Sequence, residues 1–509
     1  MDTKVMDAQV METEVVVVGA GPVGLLLAGE LRLGGADVVV VDRLARPTDE
    51  SRASALHART MELFDQRGLL ELLGTPPRET TGHFGGIPLP IDGLSSPYAG
   101  IWKVPQTRTE RLLTDWAVGL GADLRRELEL TDVVQHDDHV EAVLTGPVGP
   151  VRLRASYLVG CDGERSTVRR AAGFGFAGTA ASKEMLRADV AGIDIPNRRF
   201  ERLPAGLAVA AVRPDGVTRV MVHRFGDPPG GRTGDPEFAE VAKVWADVTG
   251  EDISGGTPLW LNAFDNTSRQ ATRYRDRRVF LAGDAAHAQM PVGGQALNLG
   301  LQDAANLGWK LAAEVRGHSP TTLLDTYHAE RHPVGERVLT NIRAQAHILL
   351  GARDVDPVRT ALAELLEFAS VRRGLAGTIS GLDIRYDIGE DRHPLVGLRV
   401  PPAELRTDDG PTSTARLLRP ARGVLLCLAP REAARWADLV APWADRVLPV
   451  AARPPADGPL RDVTALLLRP DGHVVWTDTA DGAPETALRR WFGDARPPTG
   501  APTQEGRHD

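Results

Sequence analysis

Short apolar runs near the amino terminus predict a strand, a tight turn and a helix. Residues 14–18 are β-branched and apolar, the glycine-rich segment 19–24 follows at once, and residues 25–33 have the hydrophobic spacing of a helix. A second β-branched run, 37–41, ends at Asp42. These elements form a β-α-β unit, so we expect the fold to open with a dinucleotide-binding half.

Two later apolar strands run into turns that contain glycine and aspartate. Residues 157–160 lead into the turn at 161–163, and residues 278–282 lead into the turn at 283–284. Parallel strands of a doubly wound sheet bind ligands at their carboxyl ends. Both turns are therefore expected to approach the same kind of site as the first glycine turn.

The polarity pattern changes twice more, which predicts two further domains. Alternating apolar and polar residues, as in 207–212 and 218–223, indicate an antiparallel sheet. A small α/β domain is expected nearer the carboxyl terminus, with elements at 424–428, 445–450, 463–468, 473–477 and 484–492.

These changes set the predicted domain boundaries. The first domain is discontinuous and contains helices at 299–315 and 321–331; residues 82–105 are a candidate contribution of this part of the chain to the second domain. The Pro- and Gly-rich tail is predicted to be disordered. The expected boundaries are 12–180 with 271–394 for the first domain, 181–270 for the second, 395–493 for the third and 494–509 for the tail.

Composition narrows the class of protein. The net charge is -9 and arginines are interspersed with acids, so no nucleic-acid partner is expected. The two cysteines, Cys161 and Cys427, are far apart, and no metal site is expected. Long apolar runs are missing and the first residues include acids, which predicts no membrane partner and a cytoplasmic location. We expect a monomer or a homodimer.

The first turn carries a dinucleotide-binding fingerprint. Gly19 permits the tight turn, Gly21 permits close backbone approach to a pyrophosphate, and Gly24 permits close packing of helix on strand. Asp42 can accept hydrogen bonds from ribose hydroxyls. A search for a second complete fingerprint fails, so one tightly bound dinucleotide is expected; Pro22 and Arg43 complete the predicted residues at this end.

The later segments favour FAD as that dinucleotide. Gly283 and Asp284 end a strand, where a carboxylate can reach the ribityl and pyrophosphate side of an extended flavin cofactor. A second segment then enters a long helix whose free N–H groups suit the pyrimidine ring of the flavin. The predicted residues in that segment are Pro291, Gly294, Gln295, Ala296, Leu297 and Asn298.

Together these motifs resemble the p-hydroxybenzoate hydroxylase superfamily of flavoprotein monooxygenases. Segments such as 59–62, 64–68 and 82–86 resemble more closely the aromatic polyketide hydroxylases of actinomycetes. The resemblance implies an α/β and α+β fold: a Rossmann-like FAD-binding domain, an antiparallel-sheet substrate domain and a thioredoxin-like carboxyl-terminal domain without redox cysteines.

The same resemblance implies a function. NADPH or NADH would reduce FAD transiently, O2 would form a flavin C4a-hydroperoxide, and a polycyclic aromatic polyketide would be hydroxylated in antibiotic biosynthesis. It also implies that Arg52 and Gln106 lie near the flavin, that Asp162 serves both FAD and NAD(P)H, and that Asp284 holds the cofactor. The chain departs from the family pattern at Ala296, where glycine is usual, and at Asp42, where glutamate is usual.

The sequence does not identify a catalytic base. His223, Arg224 and Arg373 are candidates because they come from segments expected to border the flavin. Two alternatives stay open. One is Baeyer–Villiger oxygenation of a polyketide ketone or quinone, and the other is a flavin-binding biosynthetic partner with little oxygenase activity, which Ala296 suggests.

Overall fold

The valine-rich run at the amino terminus forms an inner strand of a mostly parallel sheet. The computed structural model describes residues 10–48, 53–229, 231–232, 234–320, 322–389, 393–455, 457–479 and 482–496. Within these ranges the strands are β1 (Val10–Val18), β2 (Val38–Val41), β3 (Ala55–His57), β4 (Arg78–Glu79), β5 (Thr81–Phe84), β6 (Ile87–Pro90), β7 (Ile101–Lys103), β8 (Asp123–Arg125), β9 (Glu129–Gln135), β10 (Val140–Gly146), β11 (Gly149–Gly160), β12 (Phe176–Thr179), β13 (Glu184–Ala191), β14 (Arg198–Leu203), β15 (Gly206–Val212), β16 (Thr218–Arg224), β17 (Thr257–Asp265), β18 (Ser268–Ala271), β19 (Arg275–Asp276), β20 (Val279–Leu281), β21 (His287–Gln289), β22 (Glu404–Thr407), β23 (Gly410–Ser413), β24 (Gly423–Cys427), β25 (Val447–Ala451), β26 (Ala465–Leu468) and β27 (Val474–Thr477).

The α-helices of the same ranges include two long ones in the first domain. They are α1 (Pro22–Leu33), α2 (Ala58–Asp65), α3 (Leu69–Leu73), α4 (Gln106–Gly119), α5 (Thr167–Ala171), α6 (Phe238–Thr249), α7 (Gln295–Val315), α8 (Asp325–Leu350), α9 (Asp356–Leu365), α10 (Ala369–Ser380), α11 (Thr414–Leu417), α12 (Ala433–Val440) and α13 (Pro484–Phe492).

The first sheet has the strand order β19-β20-β11-β1-β2-β8, with β10 and β9 continuing from β11. Strand β1 is parallel to β2 and β11, and β11 is parallel to β20. Helix α7 packs closely on α1, because Gly308 leaves room for the side chain of Glu30. The turns after β1, β11 and β20 therefore lie at one edge of the sheet, as the sequence predicts.

The second sheet is antiparallel, with the order β14-β15-β16-β13-β17. One face packs on α6 through Val220, Val222 and Trp245. The hairpin β5–β6 belongs to a separate apolar cluster with α10 and Ile348. The other face of the sheet lines a cavity that also borders the start of α7.

The third sheet combines a parallel and two antiparallel pairings in the order β25-β24-β26-β27. Its attachment to the first domain is charged and fully buried. Arg469 donates to Glu330 Oε1 at 2.6 Å, and Lys310 Nζ donates to Glu330 Oε2 at 2.9 Å. Although burial opposes ionisation, Arg469 and Lys310 hold the pKa of Glu330 below its usual value. Removing one partner would leave a buried charge uncompensated.

Most predicted elements are confirmed within a few residues, and one is much longer than expected. The helix expected at 321–331 is α8, which runs on through Pro333 to Leu350. Proline removes a backbone donor inside a helix. Burial of Leu339, Ile342 and Leu349 stabilises the continued helix, so packing overrides the local stop signal. Of the expected tail, residues 497–509 lie outside the described residues.

Candidate active site

The glycines of the first turn differ in what surrounds them. Gly19 has a φ of 106°, and a Cβ there would overlap the carbonyl of Cys161. A Cβ on Gly24 would overlap the carbonyl of Gly19. A Cβ on Gly21 would meet nothing within 4 Å. Gly21 therefore borders open space at the start of α1, where backbone N–H groups and the helix dipole favour phosphate.

A groove of about 860 Å³ runs past this turn. Gly19, Gly21, Asp42, Arg43 and Asp162 are among the residues that line it. Asp42 Oδ2 accepts from the Ala20 N–H at 2.7 Å, and Oδ1 accepts from the Leu44 N–H at 2.8 Å. These bonds fix the carboxylate at the groove wall, and each oxygen retains capacity for a further donor. Pro22, the first residue of α1, is buried.

Asp162 orders the turn after β11. Its carboxylate accepts from the Ser166 hydroxyl at 2.5 Å and from the N–H groups of Thr167 at 2.6 Å and Val168 at 3.0 Å. Burial raises the pKa of Asp162, and these donors oppose that shift. The carboxylate thus holds the start of α5 beside the groove.

The start of α7 borders a second cavity of about 640 Å³. Gly293 and Gly294 have φ values of 69° and 66°, which turn the chain into the helix. Pro291, Gly294, Ala296 and Leu297 line this cavity. The methyl group of Ala296, at the position where glycine is usual, is therefore part of the cavity wall.

Gln295 and Asn298 are buried on the protein side of the same turn. Asn298 Oδ1 accepts from the His57 N–H at 2.8 Å and from the Thr60 hydroxyl at 2.6 Å. Asn298 Nδ2 donates to the carbonyls of Ala55 and Gly294. The Asn298 side chain is therefore used to fasten β3 and α2 to the helix start. Gln295 Nε2 donates to Asn341 Oδ1 at 3.3 Å, while its buried Oε1 has no hydrogen-bond partner among the described residues.

The turn after β20 rests on a buried ionic network that the sequence analysis missed. Asp303 Oδ2 accepts from the Gly283 N–H at 3.1 Å and lies 2.8 Å from His287 Nε2. Asp303 Oδ1 accepts from Arg331 Nε at 2.7 Å, and both side chains are fully buried. Although burial opposes ionisation, Arg331 and His287 lower the pKa of Asp303. Asp284 itself is exposed.

Gln106, which the resemblance places near the flavin, begins α4 and binds the segment just before β3. Gln106 Oε1 accepts from the Ala53 N–H at 3.2 Å, and the Gln106 N–H donates to the Ala53 carbonyl at 2.9 Å. Gln106 therefore holds a segment that lines the 640 Å³ cavity. Arg52 lies outside the described residues.

The 640 Å³ cavity lies between the start of α7 and the free face of the second sheet. Much of its lining is apolar, including Met185, Val209, Met221 and Phe264. Arg187 also lines it and is only 7% exposed. The Arg187 guanidinium lies 4.4 Å from the ring centre of Trp260 and donates to Asn262 Oδ1 at 3.0 Å. The cavity thus combines flat apolar walls with a fixed cation, a residue that sequence reasoning did not single out.

None of the three candidate catalytic residues lines this cavity. His223 Nδ1 lies 2.7 Å from the Glu184 carbonyl, and burial lowers the pKa of His223. Arg224 pairs with Asp227 and Asp247 on the side of the sheet that carries α6. Arg373 is exposed on α10. We therefore assign no catalytic role to these residues.

The described residues fit FAD. The groove contains an open glycine cradle at a helix start, and the cavity contains a second helix start with an unpartnered buried amide oxygen nearby. The first suits a pyrophosphate. The helix start at the cavity suits the partial negative charge of a flavin ring, and the amide oxygen suits a hydrogen-bond donor of that ring.

Comparisons with known proteins decide the family. Residues 12–342 match the family model described as FAD binding domain, and residues 393–495 match the one described as aromatic-ring hydroxylase, C-terminal. The chain belongs to the FAD-dependent aromatic-ring hydroxylases. The predicted fold class and the resemblance are thereby confirmed, and the protein is an FAD-dependent aromatic monooxygenase by family.

Three relatives show how this hydroxylase compares with characterised proteins. It is 44% identical to the 12-dehydrotetracycline 5-monooxygenase/anhydrotetracycline 6-monooxygenase of Streptomyces rimosus, over 95% of this chain and 99% of that protein. The solved structure of CabE, an aromatic hydroxylase from angucycline biosynthesis, is 49% identical with a TM-score of 0.92, over 95% of this chain and 100% of CabE. The dialkyldecalin synthase of Streptomyces rugosporus is 41% identical, over 95% of this chain and 100% of that protein.

Among the described residues, no helix combines the length and the hydropathy that crossing a bilayer requires.

Proposed function

We propose that this hydroxylase inserts one oxygen atom from O2 into a polycyclic aromatic polyketide, with NADPH or NADH as the transient reductant. The observation that carries the proposal is the 640 Å³ apolar cavity that opens onto the start of α7. Cavities of roughly 300–1,000 Å³ suit ligands of several fused rings. The tetracycline and angucycline hydroxylases among the relatives act in pathways that make such molecules.

The residues divide between two tasks. At the pyrophosphate end, the proposed contacts to FAD come from Gly19, Gly21, Pro22, Gly24, Asp42, Arg43 and Asp162. At the flavin end they come from Arg52, Gln106, Gly283, Asp284, Pro291, Gly294, Gln295, Ala296, Leu297 and Asn298. When bound and reduced, FAD supplies the activation of dioxygen that no side chain can supply.

The cavity walls perform the remaining work of orientation and exclusion. Met185, Met221 and Phe264 form apolar walls that keep water away from the place where the substrate meets the flavin. Arg187 provides a fixed positive charge, which favours the ionised form of a phenol or enol oxygen nearby. An ionised oxygen makes the aromatic ring more electron-rich, so this charge assists ring oxygenation.

NADPH oxidation under air tests the proposal. Purified protein carrying FAD is assayed with no substrate, with a single-ring phenol and with a tetracyclic phenolic polyketide. We expect the tetracyclic compound to stimulate NADPH oxidation most, because it fills more of the cavity beside the flavin ring than a single-ring phenol does. Stimulation by the single-ring phenol alone would contradict the proposed substrate class. The structure of the oxygenated product separates hydroxylation from Baeyer–Villiger insertion.

One relative favours a second candidate function without oxygenation. The dialkyldecalin synthase is related along the whole chain. An apolar cavity beside the flavin would hold a flexible substrate in the conformation that ring closure needs. FAD would then form one side of the cavity and would take no part in electron transfer. This activity would convert substrate into a product of equal mass and would consume no NADPH.

A further inference from the structure

The turn between β9 and β10 brings two histidines and a glutamate together at the surface. The His136 N–H donates to the His139 carbonyl at 2.9 Å, which closes the turn. Arg278 Nε and one terminal nitrogen donate to the Asp137 carbonyl at 2.9 Å and 2.8 Å. The turn is therefore fastened to the chain just before β20 and has a defined shape.

Three potential ligand atoms converge beside this turn. His139 Nε2 lies 3.7 Å and His136 Nε2 lies 4.0 Å from Glu141 Oε1. The two imidazole rings stack with centres 4.2 Å apart and an angle of 10° between their planes. All three ligand atoms lie within 4.8 Å of one another. These separations are too long for direct hydrogen bonds between the side chains.

Neighbouring groups orient two of the converging atoms, His139 Nε2 and Glu141 Oε1. Asp138 Oδ1 lies 2.6 Å from His139 Nδ1. Because a carboxylate only accepts, this short contact places a proton on Nδ1, and in the neutral imidazole Nε2 then keeps its lone pair; Arg154 Nη2 makes the longer contact with Nδ1, at 3.3 Å. Arg152 donates to Glu141 Oε2 at 3.0 Å, which leaves Oε1 turned toward the imidazoles. A carboxylate behind a ligating histidine is the usual outer partner in metal sites.

We propose that His136, His139 and Glu141 bind a divalent transition-metal ion, with Zn²⁺ as the best match. Zinc takes nitrogen and oxygen ligands at about 2.0–2.2 Å in tetrahedral geometry, which places ligand atoms about 3.3–3.6 Å apart. The pairs at 3.7 Å and 4.0 Å reach that spacing with a movement of less than about 1 Å, and one of the stacked imidazole rings must turn so that both nitrogen lone pairs point at the ion. The His136 side chain is 42% exposed, so water can take the fourth position.

The proposed metal site has a structural consequence. Glu141 lies on β10, His136 follows β9, and the turn is fastened next to β20. A bound ion would join the two strands at the amino-terminal side of β20, whereas the cofactor turn follows its carboxyl end. The site would thus stabilise the margin of the first sheet without taking part in oxygenation.

Calorimetric titration tests the proposal on the FAD-loaded enzyme. The protein is stripped of metal, carries no affinity tag and is titrated with ZnCl2. We expect one equivalent to bind. His136→Ala and His139→Ala should each lower the affinity by more than the roughly tenfold to 100-fold that loss of an outer partner costs. Asp138→Asn should lower it within that range.

His318→Ala is the matched control. His318 Nε2 lies 3.6 Å from Asp445, so it is a surface histidine beside a carboxylate at another place in the fold. Its replacement should leave zinc binding unchanged. No binding to the unaltered enzyme would overturn the proposal, as would binding that persists at full affinity in both His136→Ala and His139→Ala.

Discussion

Replacing Gly21 by alanine separates cofactor binding from folding. The residue has φ -77° and ψ 176°, a conformation that alanine adopts without strain. Its added Cβ would meet no protein atom within 4 Å. We therefore expect Gly21→Ala to change the free energy of unfolding of the apoprotein by less than about 1 kcal/mol.

The same methyl group would stand in the cofactor groove. Gly21 lines the groove at the start of α1, where the pyrophosphate is proposed to approach the backbone. Overpacking a well-fitted contact by one methyl group costs about 1–3 kcal/mol. That cost corresponds to a Kd for FAD raised about fivefold to 150-fold.

Fluorescence titration of apoprotein with FAD measures this change, and thermal unfolding checks the fold. Gly93→Ala is the matched control, because a Cβ there also meets nothing within 4 Å and Gly93 lies outside the groove. The control should bind FAD as the unaltered protein does. Unchanged FAD affinity in Gly21→Ala would refute the assignment of this turn to the pyrophosphate.

Three further predictions concern buried ionisable groups. Asp303→Asn should destabilise the protein by about 3–5 kcal/mol, because it leaves Arg331 uncompensated; urea unfolding measures this, and the exposed Asp325→Asn should cost at most about 1 kcal/mol. Burial lowers the pKa of His57 to about 4. The folded state therefore has its full stability above pH 6.5, and it loses stability as the pH falls toward 4, because the unfolded chain binds a proton at His57 that the folded chain does not. At pH 5 the loss is about 2 kcal/mol, and His57→Gln should lack it; an unchanged pH profile of unfolding would contradict this. Arg187→Leu should raise the KM for a phenolic substrate more than it changes the Kd for FAD; equal effects on both would show that Arg187 acts on the fold.

The cofactor turns were predictable because their chemistry restricts the residue types. Gly19 needs a positive φ and Gly24 needs space against a backbone carbonyl, and such needs leave a short fixed pattern in the sequence. The supports behind these turns leave no comparable pattern. Asp303 and Arg331 are far apart in sequence, and charged residues on helices usually lie at the surface.

The sequence likewise does not show which side chains line the cavity. His223 and Met221 lie on one strand, yet only Met221 lines the cavity, because His223 lies against the Glu184 carbonyl. Arginine residues usually lie at the surface, so the sequence gives no reason to place Arg187 in a cavity wall. Its contact with Trp260 depends on the pairing of β13 with β17, which local sequence does not specify.

The mass of the product formed under isotopically heavy dioxygen tests the central claim most directly. FAD-loaded enzyme, NADPH and a tetracyclic phenolic polyketide are incubated under the labelled gas, and the product is analysed by mass spectrometry. The account predicts a product that contains one labelled oxygen atom, with NADPH consumed in equal amount. A product with the mass of the substrate, formed without NADPH, would contradict oxygenation and would instead support the ring-closing activity.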